Sequence, residues 1–137
     1  ELKAADFDAV ILPGGFGAAK NLSDFAVKGA DCTVDPDVLA AIGEFRDAKK
    51  PIGLMCIAPA LSARIFGEGV TCTIGDDEGT AEALEAMGAK HQVCTVDNVV
   101  FDAGNCLVTT PAYMLAQSIA EAATGINALV DKVLELA

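Results

Sequence analysis

Apolar residues fall along this chain in short blocks separated by glycine and proline. The first block, Asp8 to Leu12 (DAVIL), is rich in β-formers and stops at Pro13-Gly14-Gly15. So short an apolar run with breakers at its end predicts a buried strand leading into a tight loop. A helical turn is expected over Phe16 to Lys20. Asp35-Pro36 has the form of a helix start, an N-cap followed by proline at the first helical position. Val38, Leu39, Ile42 and Phe45 then share one helical face, and the pattern fades into Lys49-Lys50-Pro51. Ile52 to Met55 predicts a second buried strand, Ile57 to about Phe66 a helix, and Val70 to Ile74 a third strand. Thr80 stands where it would cap a helix carrying Ala81, Leu84 and Met87 and ending at Gly88. Val93 to Phe101 and Leu107 to Thr109 alternate apolar and polar residues, as half-buried antiparallel strands do. Pro111 is expected to open a long helix through Ala123, Gly125 to interrupt it, and Ile126 to Leu136 to form a last amphipathic helix.

Strands and helices alternate, and the early strands are continuously apolar. That combination predicts a mostly parallel sheet with helices on both faces. Without an internal repeat, low-complexity tract or linker, residues 1–137 read as one α/β layer sandwich with a small antiparallel element late in the chain. The last two helical segments carry apolar faces (Leu115, Ile119; Leu129, Val133, Leu136) that cover the sheet or, alternatively, pair two copies in a homodimer.

Composition narrows the partners. Hydrophobic residues make up 53% of the 137, enough for a packed core without metals or disulfides. Lysine plus arginine is 9 against 20 for aspartate plus glutamate, a formal charge of −11. A surface that acidic repels phosphate backbones and anionic lipid heads, so neither nucleic acid nor a membrane surface is an expected partner. The most apolar stretch, Ile52 to Leu61, is far short of the roughly 18 residues a membrane span needs. The first residues do not read as a signal peptide, and the 5 cysteines form an odd, irregularly spaced set. Both features argue against a secreted disulfide scaffold and predict a reducing, cytoplasmic setting. With no C-x-x-C and 1 histidine, no metal site is expected.

Two motifs carry chemistry. In the loop from Pro13 to Lys20 (PGGFGAAK) the spacing rejects nucleotide binding. A P-loop counted from Gly14 has Ala19 where its second glycine belongs, and a dinucleotide loop counted from Gly15 has Lys20 at its last position. What remains is either a plain tight turn or a loop whose backbone N–H groups point into the crevice at the strand ends. The second motif is Gly53-Leu54-Met55-Cys56-Ile57-Ala58-Pro59, a buried strand running into a helix start with Cys56 at the junction. A sharp strand-to-helix elbow lifts its nucleophile out of the sheet. A helix N-terminus carries about half a positive charge, which favours a thiolate. The Ile57 N–H would face an oxyanion formed on attack. The competing reading is an inert core cysteine. His91 is expected at the surface or in packing, remote from Cys56, and Asp76-Asp77-Glu78 as a solvated loop. Cys72 and Cys94 read as core fillers, and Cys32 as an exposed, oxidisable thiol.

Taken together, PGGFGAAKNLS (Pro13 to Ser23), GLMCIAP (Gly53 to Pro59), GTAEALEAMGAKH (Gly79 to His91) and VTTPAYMLAQSIAEAATGI (Val108 to Ile126) resemble the ElbB-type glyoxalase branch of the PfpI/DJ-one superfamily of class I glutamine amidotransferase-like proteins. The resemblance implies a flavodoxin-like three-layer α/β/α sandwich with Cys56 as nucleophile and the amides of Gly15 and Ile57 as oxyanion hole. It implies an enzyme that turns small dicarbonyls (glyoxal, methylglyoxal) into 2-hydroxy acids through a cysteine hemithioacetal, with no cofactor, glutathione or metal. The alternative on the same thiol is a redox-sensing or accessory protein, including a role in isoprenoid metabolism. Protease-like relatives place histidine directly after the cysteine; here Ile57 stands there, which disfavours peptidase and glutaminase chemistry. The family's glutamate base lies upstream of the PGG strand. The resemblance therefore implies that the chain is the C-terminal two-thirds of the family domain, with the base beyond Glu1 and an open apolar sheet edge.

Overall fold

The computed structural model describes residues 2–137. In chain order the elements are β1 (Val10–Leu12), α1 (Phe16–Lys20), α2 (Phe25–Lys28), α3 (Pro36–Asp47), β2 (Ile52–Met55), α4 (Ser62–Phe66), β3 (Thr71–Cys72), α5 (Glu78–Ala86), β4 (Lys90–His91), β5 (Val100–Asp102), β6 (Leu107–Thr110) and α6 (Ile119–Leu136). The main sheet has the order β1-β2-β6-β5. β1, β2 and β6 run parallel, with Ile11 opposite Gly53 and Gly53 opposite Val108, and β5 is antiparallel to β6. This is the α/β architecture with a mostly parallel sheet that the alternation of elements predicts.

Period-two alternation along the strands divides the core between the two faces of the sheet. Leu12, Ile52, Leu54 and Leu107 join Ile42 and Phe45 of α3 and Leu61 and Ile65 beside them. Met55 and Val108 point the other way, onto Leu129 and Val133 of α6. β1 pairs with β2 alone among the described residues. Its Val10 and Ile11 are half-buried.

Helix starts follow their caps. The Asp35 carboxylate accepts from the N–H groups of Asp37 and Val38 at 3.0 and 3.2 Å, and Pro36 opens α3 as expected. At α5 the cap is Asp77, not Thr80. Asp77 Oδ2 accepts from the Thr80 N–H at 2.9 Å and from its hydroxyl at 2.6 Å, because a carboxylate three residues earlier reaches the first-turn donors. Thr80 therefore sits inside the helix.

Four other expectations shift. The Val70–Ile74 strand contracts to β3, which leaves the main sheet and pairs in parallel with β4. It stays docked through the Thr71 N–H on Asp102 Oδ2 (2.8 Å) and the Thr73 N–H on Thr109 Oγ1 (3.0 Å). Of Val93 to Phe101 only the end is strand; Val93 itself is 77% exposed. The helix from Pro111 stops after a 3₁₀ turn at Ala112–Met114, where Ala112 takes φ +46°. A new helix starts at Ser118, whose hydroxyl accepts from the Glu121 N–H, and runs unbroken to Leu136. Gly125 is not a break but a close approach: a Cβ there would collide with the Val96 carbonyl and lie 3.0 Å from Thr109's neighbour Thr110 at Oγ1. The glycine lets α6 rest against the segment before β5.

Candidate active site

β2 delivers Met55 to the carboxyl end of the sheet, and the chain turns there on Cys56, whose φ is +61°. A non-glycine residue in the left-handed region costs about 1–3 kcal/mol and persists only where its surroundings hold it. Two contacts do so. The Cys56 N–H donates to the Thr110 carbonyl at the end of β6 at 3.1 Å. On the other side lies Gly14, at φ +87°, packed so closely that a Cβ would stand 2.6 Å from the Met55 carbonyl oxygen, 2.9 Å from Cys56 Cβ and 3.5 Å from the Ile57 nitrogen. The two motifs are thus one object, with the first loop as backing for the elbow.

Cys56 is half-buried rather than sealed in the core. With Gly15 and Ile57 it lines a cavity of about 360 Å³. Neither the Gly15 nor the Ile57 N–H donates to a protein group among the described residues. Nothing approaches the Cα of Gly15 on its side-chain side. The structure therefore brings the three sequence-derived site residues together. The expected helix behind Cys56 is different, however. Ile57 to Phe66 divides into a 3₁₀ turn (Ala58–Leu61), where the Ala60 N–H donates to the Ile57 carbonyl at 3.0 Å, and the five-residue α4. A long-helix dipole is thus absent at the thiol, and the residues of the two unpaired amides share the cavity lining with it.

The rest of the wall is apolar and comes from segments distant in sequence: Phe16 and Ala19 of α1, Phe25 and Ala26 of α2, and Met114. Sequence reasoning missed these. Gly14 was visible as part of the PGG loop, but its packing role needs the fold. Among the described residues Cys56 is the one titratable group in the lining.

His91 lies in β4 and is committed elsewhere: its Nε2 accepts from the Ile74 N–H at 3.2 Å. Burial holds its pKa below the usual histidine value, against a smaller upward pull from Glu85. A histidine depressed in the folded state contributes stability that is present above its ordinary value near 6.5 and is lost as pH falls through the folded value. We expect the urea midpoint to fall as the pH is lowered from 7 to 5, and His91→Gln to flatten that slope. An equal slope in both proteins would show that the hydrogen bond to Ile74 does not control it. The depressed carboxylates, Asp24, Asp47, Asp77 and Asp102, act in a separate window near and below pH 4.

Of the remaining thiols Cys32, Cys72 and Cys94 are buried, and Cys106 is half-buried outside the cavity lining. Burial pushes the Cys72 thiol up to about 11 and raises Cys94. Cys32 is buried, contrary to expectation, and its Sγ donates to Met87 Sδ at 3.7 Å. The backbone of that segment is drawn inward by Arg64, which donates to the Cys32 and Ala30 carbonyls. Among the described residues no cluster of histidine, cysteine or carboxylate is arranged to hold a metal, and no helix is long and apolar enough to cross a membrane.

Comparison with known proteins adds lineage to this geometry. The chain is 50% identical over 145 residues to the rat ES1 protein homolog, mitochondrial, covering 99% of this chain and 54% of that one. It is 50% identical over 144 residues to the human glutamine amidotransferase-like class 1 domain-containing protein 3, mitochondrial, covering 98% and 53%. Its homologues are glutamine amidotransferase-like class 1 domain proteins. The chain spans about half the length of these curated relatives. No protein-family model matches it. Among solved structures, an isoprenoid biosynthesis protein with amidotransferase-like domain from Ehrlichia chaffeensis superposes with a TM-score of 0.89 at 30% identity, over 99% of this chain and 62% of that one. Drosophila melanogaster DJ-1beta, at 20% identity and TM-score 0.63 over 98% and 59%, shares the fold. The fold is thus the flavodoxin-like one of the DJ-1/PfpI structures.

One expectation is overturned. The rat and human relatives are both named mitochondrial, which points away from the cytoplasm. Free cysteines report a reducing compartment, not which one, so the inference from thiols to cytoplasm did not discriminate.

Proposed function

We propose that this chain carries the nucleophile and oxyanion half of a glyoxalase-type active site, of the ElbB-type branch, working in a mitochondrial setting. The observation that carries the reading is Cys56 at a strained elbow, half-exposed to a cavity beside the unpaired amides of Gly15 and Ile57. In the proposed reaction the Cys56 thiolate attacks the aldehyde carbon of a 2-oxoaldehyde. A C–S bond forms, and the carbonyl π pair moves to oxygen, where the two amides stabilise it; such a donor is typically worth about 10²–10³ in rate. A base carries the proton from the former aldehyde carbon to the adjacent carbon, leaving a 2-hydroxy thioester. Water adds to the thioester, the C–S bond breaks, and the thiol is restored. The sum is 2-oxoaldehyde plus water to 2-hydroxy acid, with no external oxidant or reductant.

Among the described residues the cavity wall offers no carboxylate or imidazole, so the base is a group that the wall as described does not include. Glutamine hydrolysis by a Cys–His pair is disfavoured, because His91 is bound to Ile74 in another sheet. The test is to incubate the complete protein with glyoxal in the absence of glutathione and metal and to assay glycolate. Formation of glycolate supports the reading. Negligible turnover, together with selective oxidation of Cys56 by mild peroxide, would replace it with a thiol sensor.

A further inference from the structure

We infer that the Cys56 cavity selects an uncharged carbonyl compound bearing an aryl or extended alkyl substituent, rather than glyoxal or methylglyoxal. This rests on the reading of Cys56 as the nucleophile. The cavity, about 360 Å³, lies in the range of small-molecule sites. Apart from the thiol and the adjacent amides, its wall is Phe16, Ala19, Phe25, Ala26, Ile57 and Met114. A one-carbon substituent leaves most of that apolar wall against water, whereas a longer one displaces the water and covers the wall. Phe16, in the lining, is 70% exposed, a large apolar side chain that such a substituent would shield. Among the described residues no cationic side chain lines the cavity, and the chain carries a formal charge of −11, so a carboxylate or phosphate on the substituent gains no ion-pair partner there.

Electronically matched probes test this: methylglyoxal, n-propylglyoxal and n-pentylglyoxal with the complete protein. Each buried methylene is worth about fourfold, so kcat/KM is expected to rise stepwise, reaching about 10²-fold from methyl to pentyl. A flat or falling series overturns the inference while leaving the glyoxalase reading standing. The second readout needs no turnover. Bromoacetone and 1-bromo-2-heptanone alkylate Cys56 by displacement of bromide, followed by mass spectrometry and normalised to free cysteine. The longer ketone is expected to label at least about tenfold faster. That preference with no 2-oxoaldehyde turnover would keep the pocket assignment and sink the glyoxalase reading; equal normalised rates would sink the pocket assignment. Ala26→Phe, an exposed position on α2, narrows the cavity and is expected to cut the pentyl-to-methyl ratio at least about tenfold. A thermal melt checks that this variant is folded, and an unchanged ratio in a folded variant counts against the inference.

Discussion

Cys56→Ser is expected to lose at least about 10³-fold in kcat/KM for 2-oxoaldehydes while unfolding close to the parent's midpoint. The two halves of that expectation have separate causes. Serine is nearly the size of cysteine, and the site is half-buried, so neither a cavity nor a stranded polar group is created. The elbow also keeps its two supports, the Thr110 carbonyl and Gly14, since both act on backbone and Cβ. The chemistry does not survive, because a thiol is a few per cent thiolate near neutral pH and a strong nucleophile, whereas a serine hydroxyl with no adjacent base is neither. Among the described residues no imidazole or carboxylate lines the cavity to activate it. The measurement is steady-state turnover beside a denaturant melt on the same samples. Retained turnover in a folded Cys56→Ser protein would show that the thiol is not the nucleophile. An inert filler cysteine would give the opposite pattern, a small stability change and full activity.

Gly14→Ala is expected to destabilise the fold by about 2–5 kcal/mol and to lower kcat more than it raises KM. The estimate has two parts. An alanine forced to φ +87° carries about 1–2 kcal/mol of backbone strain. The added methyl then meets the Met55 carbonyl oxygen at 2.6 Å and Cys56 Cβ at 2.9 Å, which are backbone and elbow atoms with no flexible end to swing aside. Overpacking of that kind adds typically 1–3 kcal/mol. Relief comes only by moving the loop or the elbow, and moving the elbow displaces the thiol from the Gly15 and Ile57 amides. Gly15→Ala is the matched control. It shares the positive φ, at +75°, but its Cβ would enter open space, so only the strain of about 1–2 kcal/mol is expected. Urea melts of the two variants compare the costs. Equal destabilisation would mean that contact between the loop and the elbow is not what holds Cys56 in its left-handed conformation.

Legibility followed the range of the forces involved. β1, β2 and the N-cap of α3 were readable because each depends on a few consecutive residues: an apolar run with a breaker, or Asp35 followed by proline. The segment 93–101 was misread because alternating polarity arises by chance in a loop as easily as in a strand, and only pairing partners decide. Gly125 was misread as a breaker for a related reason. Glycine interrupts an isolated helix by propensity, but here the Val96 carbonyl leaves no room for a side chain, and that neighbour is invisible in the local sequence. The α2 turn, Phe25–Lys28, has too few residues to show any period.

By itself the sequence determined the α/β layering, the strand that ends in Cys56, the glycine loop beside it and the absence of a nucleotide-loop spacing, because all of these are local patterns of apolar, breaker and capping residues. Only the tertiary structure decided that Gly14 backs the elbow, that Phe16, Phe25 and Met114 close a cavity over the thiol, that Cys32 is buried and that His91 is spent on Ile74. Those outcomes depend on which side chains meet across parallel strands and crossover helices, and contacts between residues so far apart in the chain leave no periodic trace in it.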